Sequence, residues 1–184
     1  MEQALVFASV VIGVAVAMEI ENLNRLLRSP RVKWHWAQPL FALLVVFLIM
    51  RFWWTLANDP QGSITLGAFL PVMWSMVLLA LLAAVALPDR IGDDGVDLAA
   101  YYQANRRYMW LLVLLMGLPL QGQWLYSVWQ DSPSFGAFLE RTVADNVAWL
   151  VIVALIFARR WWLVALLMAV VSLGPIAWLS RTLG

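Results

Sequence analysis

Residues 22–36 read NLNRLLRSPRVKWHW and separate two apolar runs, Ala4–Ile20 and Ala37–Ala57. The stretch holds Arg25, Arg28, Arg31 and Lys33 and is broken at Ser29-Pro30. Proline lacks a backbone N–H and disfavours helix at the residue before it. The first helix is therefore expected to run a turn or two past its apolar segment, stop at Pro30 and restart before Trp36. Each flanking run is close to the 17–25 residues, roughly, that a helix needs to cross about 30 Å of hydrocarbon. A short basic loop between two such runs is the mark of a cytoplasmic hairpin.

The same pattern recurs outward from this loop. Further apolar runs lie at Ile64–Leu87, Tyr108–Trp129, Phe138–Ala158 and Trp161–Ser180. Arg90, Arg106 and Arg107 fall between the third and fourth runs, and Arg159 and Arg160 between the fifth and sixth. Nine of the twelve basic residues thus lie in alternate loops; Arg51, Arg141 and Arg181 are the others. The positive-inside rule then predicts an all-α polytopic membrane bundle with six transmembrane helices and both termini outside. Residues 1–184 are expected to form a single transmembrane domain. Ten of the twelve Trp lie near expected span ends, where amphipathic rings settle at the headgroups. Strands are excluded by run length and by the lack of alternation.

Composition agrees. The chain is 64% hydrophobic and 12% charged, whereas a soluble domain is about half apolar and a quarter charged. The net charge of +1 offers no surface for nucleic acid. Cysteine is absent, which removes disulfides, thiol chemistry and iron–sulfur ligation. The first run has no basic stretch before it and ends Glu19-Ile20-Glu21 rather than in a small-residue cleavage site, so it is expected to remain in the protein.

The loops differ in chemistry. Asn58–Ser63 reads as a turn. In Pro88–Arg107 the front, through Gly95, reads as flexible. Asp97 reads as the N-cap of a short helix through Tyr101 and Tyr102 to Arg107. Gly67-Ala68-Phe69-Leu70 and Gly136-Ala137-Phe138-Leu139 open the third and fifth runs alike, a weak echo of hairpin duplication.

Charge within a bilayer is costly, so polar residues at depth mark candidate sites. The inner set is Glu19, Glu21 and Asn22. Ser9, Gly13 and Ala17 form a small-residue stripe that would let another helix approach closely, and Glu21 continues it. Glu19 and Asn22 share the adjacent face. This set reads either as a carboxylate-lined mouth for a cation or proton, or as local i,i+4 pairing of Glu21 with Arg25 and Asn24 with Arg28. The outer set is Arg51, Gln121, Gln123, Asp145 and Asn146, with Gly117, Pro119, Gly174 and Pro175 as helix-bending residues. It reads either as a wet vestibule with Arg51 and Asp145 as opposed charges, or as a snorkelling Arg51 and an Arg141–Asp145 pair.

His35 is the only histidine and lies in Trp34-His35-Trp36. One imidazole does not supply bis-histidine haem ligation, and Glu19 and Glu21 lack metal-site spacing beside it. The acidic loop Asp89, Asp93, Asp94 and Asp97 does not match a helix–loop–helix calcium site. No metal and no cofactor is expected, and no nucleotide-binding or hydrolase motif is present.

Two stretches resemble a group of small bacterial inner-membrane proteins of unknown function. One is Arg25–Trp36, followed by Arg51-Phe52-Trp53-Trp54. The other is Leu87-Pro88-Asp89, Asp97-Leu98, Tyr101-Tyr102 and Asn105-Arg106-Arg107. The resemblance implies a six-span multi-pass protein of the bacterial inner membrane and no particular chemistry. It makes His35, Tyr101 and Tyr102 candidate cytoplasmic contacts.

Three functions fit these residues. The first is passage of a small ion or solute by a channel or facilitator, expected to be a homo-oligomer in the lipid bilayer. The second is a non-catalytic accessory or scaffold subunit of a larger membrane complex. The third is a lipid- or quinone-directed enzyme using Glu19, Glu21 and His35.

Overall fold

The computed structural model describes residues 2–57 and 66–179. Among these residues the chain forms six helices: α1 (Glu2–Arg28), α2 (Ala37–Ala57), α3 (Leu66–Ala86), α4 (Leu98–Gln130), α5 (Phe135–Phe157) and α6 (Trp161–Leu179). Two-residue strands β1 (Val32–Lys33) and β2 (Val96–Asp97) lie in the loops before α2 and α4. The turn expected at Asn58–Ser63 lies outside the described residues.

Helix ends follow local chemistry. α1 stops at Arg28, ahead of Pro30, with Ser29 N–H returning to the Leu26 carbonyl at 3.3 Å. α4 begins well before its expected apolar span. The short helix expected in the loop and the span are one 33-residue helix, continuous through Gly117 and Pro119. Asp97 starts it as an N-cap: its Oδ1 accepts from the Ala99 and Ala100 N–H groups at 2.9 and 3.1 Å. Ser134 caps α5 in the same way, accepting from Ala137 N–H at 3.3 Å.

Among the described residues, four helices are long and apolar enough to cross a membrane: α1 to α4, over Val6–Arg28, Ala37–Leu56, Phe69–Ala86 and Leu98–Gln130. α6, 19 residues long, is apolar over Trp161–Ile176 among the residues whose side chains are described. α5 has the length, with 23 residues, but carries Glu140, Arg141 and Asp145 in its first half.

The chain divides into two compact units, Met1–Met109 and Trp110–Gly184. In the first, α1, α2 and α3 all pack on one another. Phe41, Val45, Ile49, Leu79, Leu82 and Tyr102 are buried in this unit. Lipid tails are as apolar as leucine, so burial alone does not hold membrane helices together; packing and interhelical hydrogen bonds do. The end of α3 shows such bonds. Its last carbonyls have no intrahelical donor. The Ala86 carbonyl accepts from Gln38 Nε2 on α2, and the Val85 carbonyl accepts from Tyr101 Oη at 3.1 Å.

The two loops of this unit clasp each other. β1 and β2 pair in parallel, with Val32 opposite Val96 and Lys33 opposite Asp97. Val96 N–H donates to the Arg31 carbonyl at 3.1 Å. Arg31 and Arg25 donate from their guanidinium groups to the Asp93 and Asp89 carbonyls at 3.0 and 2.8 Å. Gly95 makes the approach possible: its φ is +87°, and a Cβ there would collide with the Arg31 carbonyl. The segment expected to be flexible is therefore tied to the first loop, and both basic loops lie at the same end of the unit.

In the second unit α5 and α6 pack as an antiparallel hairpin through Ala158-Arg159-Arg160. Leu155, Ala158, Val164 and Met168 are its buried side chains near the hairpin bend. Trp149 of α5 lies over Gly117 of α4, its ring 2.5 Å from where a Cβ would stand. Trp129 closes the other end of α5, edge-on to Phe138 at 5.3 Å between centroids.

Candidate functional site

The inner set sorts itself by helical face. Ala8, Ala15, Glu19, Asn22 and Leu26 are the buried positions of α1 and recur at three-, four- and seven-residue steps, one side of a helix. α1 packs on α2 and α3. Glu19 is 3% exposed and Asn22 6% exposed. Both carboxylate oxygens of Glu19 are enclosed and have no hydrogen-bond partner in the described structure.

Glu21 does not share that environment. It is exposed and pairs with Arg25, the i,i+4 pairing expected from sequence. Glu19 and Glu21 therefore do not line one mouth together. Ser9, Gly13 and Ala17 are also exposed, and nothing lies within 4 Å of a Cβ placed on Gly13. The helix contacts of α1 are made on the Glu19 face instead of this stripe.

The outer set is distributed over both units. In the first, Arg51 is exposed on α2 and its carbonyl accepts from Thr55 Oγ1 at 2.9 Å. In the second, Gln123 and Asp145 are exposed, while Gln121 is half-buried with its Nε2 enclosed and unpartnered. Asn146 Nδ2 donates to Thr142 Oγ1 at 3.2 Å, and Thr142 donates on to the Phe138 carbonyl at 2.9 Å. The Arg141–Asp145 pair weighed from sequence is not formed; Arg141 donates instead to the Asp131 carbonyl at 3.2 Å.

The distinctive loop motifs are largely structural. His35 is half-buried and its Nδ1 accepts from Ala37 N–H at 3.4 Å, at the start of α2. Its ring lies 5.4 Å from that of Trp36. Trp34 and Trp36 are the exposed members of that motif. Tyr102 is fully buried, and the half-buried Tyr101 donates to the end of α3, so both brace helices. No group of three or more His, Cys, Asp or Glu suited to a metal ion occurs among the described residues.

Four buried polar residues are not among the sequence candidates: Gln38, Ser75, Arg106 and Thr142. Gln38 is fully buried and bonds the end of α3. The signal for it was a polar amide inside the first turn of an otherwise apolar run. Arg106 is 7% exposed and donates to the Gln103 carbonyl and side-chain oxygen at 2.9 and 3.0 Å. In sequence it is indistinguishable from its exposed neighbour Arg107.

No family model, curated protein or solved structure matches the chain. The helices and their apolar surfaces are those of an integral membrane protein.

Proposed function

We propose that the protein passes a small ion or solute across a bacterial inner membrane, as a six-span channel or facilitator with both termini outside. The observation that carries this proposal is Glu19. A carboxylate enclosed between membrane helices, with no cation or donor on either oxygen, is expensive to maintain. In transmembrane segments such groups line ion pathways and proton relays. The alternating basic loops supply the orientation, and the β1–β2 clasp is consistent with two of those loops sharing the cytoplasmic side.

Reconstitution into liposomes tests it. The unmodified protein should pass protons, alkali cations or halides. Glu19→Gln should cut that flux by about tenfold or more, a change of only about 1.4 kcal/mol in barrier height. Absence of flux for all of these ions sinks the proposal.

A second reading, an accessory subunit of a larger complex, draws on α5. Asp145 lies ten residues after Phe135, about 15 Å along the helix, and is exposed together with Glu140 and Arg141. Exposed charges at such depth call for a partner surface. Native mass spectrometry after gentle extraction separates the two: a stoichiometric foreign subunit favours the accessory role, and a clean homo-oligomer favours passage.

A further inference from the structure

Glu19 is the only buried carboxylate among the described residues. The others are accounted for by the surface. Glu21 pairs with Arg25, Asp97 caps α4, and Asp89, Asp93, Asp94, Asp131, Glu140 and Asp145 are exposed.

The elements packed against α1 offer Glu19 no countercharge. α3 contains no ionisable residue. α2 contains one, Arg51, which is exposed and makes no ion pair with Glu19. On α1 itself Arg25 is taken by Glu21, and Arg28 is exposed at the helix end. Arg106, the buried cation of this unit, donates to Gln103.

What neutralises the site is therefore something it binds, and the donor set decides which. An alkali cation must have its hydration shell replaced by a ring of oxygens, as carbonyl-lined filters do. Besides Glu19, the buried polar side chains of α1, α2 and α3 are Asn22, Gln38 and Ser75, and Gln38 is engaged at the end of α3. The buried Ser75 of α3 donates its hydroxyl to the Pro71 carbonyl of its own helix. One carboxylate among so few neutral side chains does not make that ring. A proton needs a single oxygen.

We infer that Glu19 is a proton-binding site, protonated while α2 and α3 enclose it and releasing its proton when that enclosure opens to water. On release the O–H bond breaks, its electron pair stays on the carboxylate, and water leaves as hydronium. The inference rests on the membrane-passage proposal and names the species carried.

Dicyclohexylcarbodiimide, an apolar reagent that adds a protonated carboxyl across its C=N bond, tests this on the full chain in native membranes. Mass spectrometry should find one adduct at Glu19 at neutral pH, lost in Glu19→Gln and unchanged by sodium or potassium salts. A water-soluble carbodiimide should leave Glu19 unlabelled. Protection by either cation overturns the inference in favour of a cation site. Absence of the adduct in protein with an unaltered circular dichroism spectrum overturns it outright. Labelling in a protein that passes no ion supports the proton site while sinking the transport proposal, and alkali-cation flux with cation-protected labelling does the reverse.

Discussion

Residues 1–109 and 110–184 handle their polar groups differently. The first unit packs three helices mutually, ties two loops together, and encloses Glu19 and Arg106. The second packs a helical hairpin, keeps its large buried side chains few, and leaves Glu140, Arg141 and Asp145 exposed. Apolar side chains against lipid cost nothing, so exposed leucines and valines in the second unit are unremarkable. What distinguishes the units is where their polar groups go. In the first several bond between elements, as Gln38 and Tyr101 do at the end of α3 and Arg25 and Arg31 do across the loops, alongside intrahelical bonds such as those of Thr55 and Ser75. In the second they bond mostly within their own helix, as Asn146, Thr142 and Ser172 do. Interelement bonds specify how helices sit together; intrahelical ones do not. The first unit is thus the better candidate for a fixed site, and the second for a surface completed by something else.

Three tests probe this contrast. The largest effect is expected from a paired truncation. Phe41 is fully buried in the first unit and Phe157 is 65% exposed in the second. Phe41→Ala should destabilise by about 3–5 kcal/mol through lost contacts and a cavity. Phe157→Ala should stay within about 0.5 kcal/mol, as surface changes do. Unfolding in bicelles measures both, and equal losses would erase the distinction between the units.

Gly95→Ala comes next. Forcing a side chain into its positive φ costs about 1–3 kcal/mol even without the collision with the Arg31 carbonyl. The β1–β2 clasp should open, seen as faster hydrogen exchange at the Val96 amide, while amides of α5 and α6 keep their protection. Unchanged exchange at Val96 would show that the clasp does not depend on this glycine.

The smallest effect concerns pH. The Ala100 N–H, with that of Ala99 and the charges of Lys33 and His35, holds the Asp97 carboxyl below the usual carboxylate range. A group depressed in the folded state contributes stability above its unfolded pKa, about 3.9 for Asp. That contribution falls away as pH drops below this value and through the lower folded pKa. Asp97→Asn should flatten the acid limb of the stability curve slightly. An identical acid limb in both proteins would remove Asp97 from the account.

Much of the helical layout was legible from residues. Ala37–Ala57 was bounded correctly because Pro30 upstream and a polar segment downstream frame a uniform apolar run. α1 ended before Pro30, and Asp97 capped α4, for reasons of local backbone chemistry. The joining of the loop helix to the fourth span was not legible. Tyr101, Tyr102, Asn105, Arg106 and Arg107 look like solvent-facing loop chemistry until Tyr101 and Tyr102 are seen braced against α3.

The candidate site divides in the same way. Sequence alone determined which carboxylates lie near the basic-loop end of the first helix, because position along a helix depends only on counting residues. It did not determine that Glu19 is enclosed while Glu21, two residues on, pairs at the surface. Two residues turn a helix through about 200°. Which side faces inward is set by the neighbours α2 and α3, and only the tertiary structure supplies those.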